Sequence, residues 1–224
     1  MDEELKKSVL KTGTSIVGLV CKDGIVMAGD RQVTMGQMFV SSKKYPKIVT
    51  INDYLIAGVA GLLSDAQLVA KLTRAELKLK ELRSKSRPSV KEGANLFTSI
   101  IYQNIRKLSP IPGIVAGIVA GFDEDGLTKL FSIDPAGAIY EVDDYVADGS
   151  GLPYIMGVLE KGYKEDIIVK EGIQLAIDCI KASTQRDLGS GFGIDVFTVT
   201  KDGIKQVVEQ EIKAEYRERE KKSR

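Results

Sequence analysis

Apolar runs that come in pairs around Asp-Gly turns constrain this chain more than any other feature. Ser15 to Cys21 and Ile25 to Gly29 flank Lys22-Asp23-Gly24, and Ile114 to Phe122 and Leu127 to Ile133 flank an Asp-Glu-Asp-Gly turn. Ile194 to Thr200 and Ile204 to Val208 flank Lys201-Asp202-Gly203. Asp-Gly tolerates the backbone that tight hairpins require, so each pair predicts two antiparallel strands. Ile48 to Ile51 and Tyr54 to Ala60 make a further pair across Asn52-Asp53, and Ala138 to Val142 adds a strand after Asp134-Pro135-Ala136-Gly137. The runs are nearly continuous in apolar character instead of alternating, which requires cover on both faces of the sheet.

Helical periodicity interrupts the strands twice. Leu62, Ala66, Val69, Leu72, Leu79 and Leu82 recur at steps of three, four or seven, with Ser64 and Gln67 spaced as a capping box at the start. Ser89 and Glu92 repeat that signature ahead of Val90, Ala94, Phe97, Ile101, Ile105 and Leu108, and Pro110 ends the pattern. Pro153 opens a third helix running to about Gly162, and Val169, Ile173, Ala176, Ile177 and Ile180 mark a fourth that ends near Gln185. Hairpins, two helices, hairpins, two helices and a hairpin predict an α+β fold, a four-layer αββα sandwich of two antiparallel sheets flanked by helix pairs. The Asp-Gly hairpins argue against a doubly wound parallel sheet. No Pro-, Gly- or Ser-rich linker divides the chain, so one domain is expected over 14–208, between a leader (1–13) and a charged tail (209–224) read as a solvated helix or frayed end.

Composition narrows the function. With 224 residues and 43% hydrophobic content the chain can bury a substantial core. Thirty-two basic against 31 acidic residues leave a net charge of +1, no electrostatic reason to expect nucleic acid or an anionic membrane. Cys21 and Cys179 sit in apolar runs without paired spacing, as buried thiols of a reducing compartment do. No apolar stretch reaches membrane-spanning length and Met1 to Gly13 lacks a signal-peptide core, so a cytoplasmic location is expected. The sequence gives no sign of a metal or organic cofactor.

The chain has no histidine. Ser-His-Asp and Cys-His catalysis are therefore impossible, and any hydrolase built here must find another base. A terminal α-amino group titrates near roughly 7.7–8.0, close to working pH, and an N-terminal threonine would carry that base beside its own hydroxyl. Thr14 stands where the polar leader meets the first strand, and scission of Gly13–Thr14 would create such a terminus. Other polar groups in apolar or tight-turn settings are Asp30 at a strand end, Lys47 before Ile48-Val49, Ser150 and Ser190 between glycines, and Asp187 upstream of Ser190. Each alone has an ordinary structural explanation, since Asp commonly ends strands and Gly-Ser-Gly commonly forms loops.

Taken together, these residues carry a resemblance. Thr14-Ser15-Ile16-Val17-Gly18, Lys22-Asp23-Gly24, Ala28-Gly29-Asp30-Arg31, Thr34-Met35-Gly36, Lys47-Ile48, Ala60-Gly61 with Asp65-Ala66-Gln67, Gly149-Ser150-Gly151, and Gln185-Arg186-Asp187 with Ser190-Gly191 resemble the archaeal-type proteasome β subunits from Thr14 to about Val208. The resemblance implies the N-terminal nucleophile hydrolase fold and self-cleavage at Gly13–Thr14. It further implies Thr14 as nucleophile and base, Lys47 as an adjacent cation held by Asp30, and Ser150, Asp187 and Ser190 as support around the terminal amine. Gly61 would supply the oxyanion donor, and Val33 and Val59 would line a pocket suited to apolar side chains. Implied partners are proteasome α subunits, other β subunits in seven-membered rings, a regulatory unfolding ATPase and unfolded polypeptide substrates. The chain departs from the family pattern at Ser15, Ile16 and Gln32, where threonine, threonine and arginine are usual, and in one extra residue between Gly36 and Lys47. A non-catalytic ring subunit with an uncut leader is the alternative of a different class.

Overall fold

The structure, a computed structural model, describes residues 13–36, 39–213 and 215. In chain order it begins with β1 (Ile16–Cys21), β2 (Gly24–Asp30), β3 (Val33–Met35), β4 (Phe39–Ser42), β5 (Ile48–Asn52) and β6 (Leu55–Gly61). Helices α1 (Leu63–Ser84) and α2 (Val90–Arg106) follow, then β7 (Val115–Phe122), β8 (Thr128–Ile133), β9 (Ile139–Glu141) and β10 (Tyr145–Asp148). Helices α3 (Leu152–Gly162) and α4 (Val169–Thr184) precede a last hairpin of β11 (Gly193–Thr200) and β12 (Gly203–Glu211).

Ten strands form two antiparallel sheets of five, in the orders β10-β1-β2-β11-β12 and β5-β6-β7-β8-β9, while β3 and β4 make a separate hairpin. Three apolar layers hold the sandwich. Ile16, Met27, Ile48, Ile56, Ile118 and Leu130 fill the space between the sheets. Val17, Val26, Ile155, Ile180 and Val196 join the first sheet to α3 and α4, and Leu55, Val69, Leu77, Phe97 and Val119 join the second to α1 and α2. Neighbouring residues such as Ile16 and Val17 thus point into different cores, which explains the near-continuous apolar strands. The expected α+β four-layer sandwich is the fold found.

Local expectations fared unevenly. Ser89 and Glu92 form the capping box of α2, but the one proposed for α1 is absent. That helix is preceded by Leu62, with no side-chain cap, and Ser64 Oγ turns to Asp65. The leucine stripe of α1 is also corrected: Leu72, Leu79 and Leu82 are exposed, and Ala66, Val69, Ala70, Thr73 and Leu77 are buried. Steps of seven drift away from a fixed face of a 3.6-residue helix, whereas the buried set advances by three or four. Leu108 lies beyond the end of α2 and is fully exposed. The strands β3, β4 and β10 have no counterpart in the sequence reading, and β12 continues to Glu211, past the Val208 boundary. Of the remaining tail only 212, 213 and 215 are described, none of them helical, and the leader up to residue 12 lies outside the described residues. Both cysteines are free and buried, and burial pushes each thiol up to about 12.

Candidate active site

Strand pairing fixes the site. β1 lies between β10 and β2, with Ile16 opposite Asp148 on one side and Gly29 on the other. The residues just before β1 therefore meet Gly149 and Ser150, which follow β10, and Asp30, which ends β2. Gly149 is required here: its φ is +93°, and a Cβ on it would fall 2.2 Å from the Thr14 carbonyl oxygen. The turn after α4 reaches the same point, because β11 pairs with β2 so that Ile194 faces Asp30.

Thr14 and its neighbours form a continuous hydrogen-bonded chain. The Thr14 N–H donates to Ser150 Oγ (3.1 Å), and Ser150 Oγ donates to Asp187 Oδ2 (2.6 Å). Ser190 Oγ donates to the same carboxylate oxygen (2.5 Å) and lies 2.7 Å from Ser15 Oγ. Since the one Ser190 proton is committed to Asp187, Ser15 is the donor in that last contact. The Thr14 hydroxyl donates to the Gly13 carbonyl oxygen at 2.6 Å.

Asp30 and Lys47 make the second cluster. Asp30 is wholly buried, and its carboxylate accepts N–H groups from Ser15 (2.9 Å), Gln32 (2.9 Å) and Gly191 (3.1 Å). The Lys47 ammonium, on a residue 6% exposed, lies 3.4 Å from Asp30 Oδ1 and also donates to the Gln32 carbonyl. Burial pushes the Asp30 carboxyl up and the Lys47 ammonium down, and each partner's charge works against that shift. Three N–H donors on one carboxylate favour its charged form, so the pair is an ion pair. The extra residue between Gly36 and Lys47 does not separate Lys47 from Asp30: the Val59 N–H donates to the Lys47 carbonyl and fixes it at the head of β5.

Both clusters open on one small cavity of about 40 Å³, lined by Gly13, Thr14, Lys47, Gly61, Val33 and Val59. The structure thus brings every sequence-proposed residue to one end of the sandwich. Sequence reasoning gave no site role to several neighbours. Tyr45, Leu63, Ala66 and Thr34 complete the cavity wall, and Thr34 Oγ1 is buried there without a hydrogen-bond partner. Ser15 and Gly149 were visible only as neighbours of Thr14 and Ser150, and nothing in the sequence marked Tyr45. Among the described residues no cluster of three or more Cys, Asp or Glu side chains is placed to ligate a metal. No helix among them is long and apolar enough to cross a membrane.

A four-layer sandwich whose first strand is preceded by a buried threonine, beside a lysine–aspartate pair, has the architecture of the N-terminal nucleophile hydrolases. Residues 10–199 match the family model "Proteasome subunit". A "Proteasome subunit beta" of Nanoarchaeum equitans is 40% identical over 194 residues, 87% of this chain and 96% of the relative. One from Archaeoglobus profundus is 40% identical over 209 residues, 93% of this chain and 94% of the relative, and a "Proteasome subunit beta 1" of Thermococcus onnurineus is 40% identical over 214, 96% and 98%. The chain belongs to the proteasome β-subunit family.

Proposed function

We propose that this chain is a threonine endopeptidase, the catalytic β subunit of a proteasome core, which cuts unfolded polypeptides after apolar residues. The observation that carries the reading is the threonine hydroxyl 2.6 Å from the Gly13 carbonyl oxygen, in a pocket shared with the Lys47 ammonium. Attack of Thr14 Oγ1 on the Gly13 carbonyl carbon, followed by hydrolysis of the resulting ester, would release residues 1–13 as a propeptide and free the Thr14 amine. That amine then accepts the hydroxyl proton when Thr14 attacks a substrate carbonyl, and passes it to the departing amine of the cut peptide.

The surroundings support each step. The Lys47 charge favours the neutral form of a neighbouring amine and stabilises a developing alkoxide. Ser150, held on Asp187, already accepts from the Thr14 nitrogen and would keep the freed amine in place. The Gly61 N–H is assigned to the oxyanion, where one such donor is worth about 10²–10³ in rate. Val33 and Val59 give the pocket apolar walls, and Thr34 Oγ1 offers a spare hydrogen bond to an incoming chain. In this reading the subunit packs in seven-membered β rings between α-subunit rings, fed by an unfolding ATPase, in the cytoplasm.

Thr14→Ala in a particle co-assembled with α subunits tests the reading. Peptidase activity falls at least about 10³-fold, the range set by losing the nucleophile and its base together, and mass spectrometry finds the leader still attached. A wild-type particle whose chains all retain residues 1–13 and cleave no peptide would establish the structural-subunit alternative instead.

A further inference from the structure

Gln32 touches both polar clusters and has no part in the chemistry above. It follows β2 and is 4% exposed. Its N–H donates to Asp30 Oδ2, and its carbonyl accepts from the Lys47 ammonium. Its side chain turns the other way: Nε2 donates to the Leu188 carbonyl at 2.7 Å, across 156 residues of sequence. Gly191 makes room for this reach, since a Cβ there would lie 2.7 Å from Gln32 Oε1.

The segment that Gln32 grips is the one carrying Asp187 and Ser190, whose internal bonds, from the Gly189 N–H to Asp187 Oδ1 and from the Ser190 N–H to the Asp187 carbonyl, close the turn without tying it to β2. The Leu188 side chain points outward, 84% exposed, and contributes no apolar anchor. Phe192 sits at φ +60°, a left-handed conformation that a non-glycine residue keeps only when its surroundings enforce it. Backbone bonds hold it at both ends: the Asp187 N–H donates to the Ser183 carbonyl of α4, the Arg31 N–H donates to the Gly191 carbonyl, and the Gly191 N–H donates to Asp30. Between those ends, the Leu188 carbonyl is tied to the strand-β2 side of the site by the Gln32 amide.

We infer that Gln32 is a positioning residue, which ties the Asp187–Ser190 segment to the Asp30–Lys47 pair and so sets the distance between the support of the Thr14 nitrogen and the cation beside its hydroxyl. The inference rests on the peptidase reading for its kinetic consequence but not for the tether itself. A neutral amide suits the task. It presents a donor to the carbonyl without adding charge between two clusters that already hold Asp30, Lys47 and Asp187.

Two substitutions in the assembled particle test this, with hydrogen exchange and kinetics read on the same samples. Gln32→Leu keeps the bulk and removes the donor. Exchange of the amides from Arg186 to Phe192 accelerates, that of β1 and β2 does not, and kcat for an apolar fluorogenic peptide falls roughly tenfold with KM little changed. Gln32→Glu puts a carboxylate against the Leu188 carbonyl. Its kcat relative to wild type is lowest at neutral pH and recovers as the pH falls, because the protonated acid donates again, whereas the Gln32→Leu ratio stays flat.

Wild-type exchange rates in the Gln32→Leu segment overturn the tether, whatever the activity. A Gln32→Glu ratio that does not move with pH does the same, and that ratio decides alone if Gln32→Leu fails to assemble. Faster exchange in particles whose wild type cleaves nothing upholds the tether and removes the peptidase reading.

Discussion

The two ends of the sandwich differ in how far their polar groups are buried and in how far along the chain their partners lie. At the end away from Thr14 the turns close on local bonds, from the Leu127 N–H to Asp125, the Tyr54 N–H to Asn52 and the Asp202 N–H to Thr200 Oγ1, each two residues apart. A distant bond there, from the Val169 N–H to Asp23, lies at the exposed surface. At the Thr14 end the corresponding bonds span 136 residues from Thr14 to Ser150, 161 from Asp30 to Gly191 and 175 from Ser15 to Ser190, and most are buried. A local turn reforms its own bonds whenever the chain reverses. A buried polar cluster assembled from distant strands has no such independence, since any member left alone carries the full desolvation penalty. The difference explains why chemistry is assigned to one end: only there are charged groups kept out of water and held by partners that cannot move singly.

Mutations graded across the two ends can break this contrast. Asp30→Ala should have the largest effect, because it strands the Lys47 ammonium and three N–H groups in the interior; unfolding in urea should show a loss of about 3–5 kcal/mol. A loss below about 1 kcal/mol would mean water replaces the carboxylate and the cluster is less dry than its burial indicates. Gly149→Ala should come next, at about 1–3 kcal/mol, since its φ and the Thr14 carbonyl leave no room for a Cβ. Asp125→Ala at the far end removes one exposed bond to a neighbouring N–H, and its cost should stay within about 0.5–1 kcal/mol by the same measurement. Equal costs for Asp125→Ala and Gly149→Ala would erase the distinction.

The same division governs what could be read from residues alone. Asp23-Gly24, Asp125-Gly126 and Asp202-Gly203 announce hairpins because turn chemistry is local, and Ser89 with Glu92 announces α2 for the same reason. β10 is only four residues long and follows an acidic pair, so neither length nor periodicity marked it, yet its pairing with β1 delivers Ser150 to Thr14. On α1 the inward face is made of Ala66, Val69, Ala70, Thr73 and Leu77, small or polar at three of five positions, while Leu72, Leu79 and Leu82 face outward. Thr14, Asp30, Lys47, Ser150, Asp187 and Ser190 were legible as a set through their likeness to a family, not through any spacing that predicts contact. Tyr45 and the Ser15–Ser190 bond, which depend on strand register and on a turn 175 residues away, were not.

The contact between the Thr14 hydroxyl and the Gly13 carbonyl oxygen bears on timing. Attacker and target are adjacent in one polypeptide, so their encounter needs no diffusion and no second molecule. If the leader is shed as proposed, its loss should follow first-order kinetics at a rate indifferent to dilution once the particle is built. Each subunit would then keep its own clock.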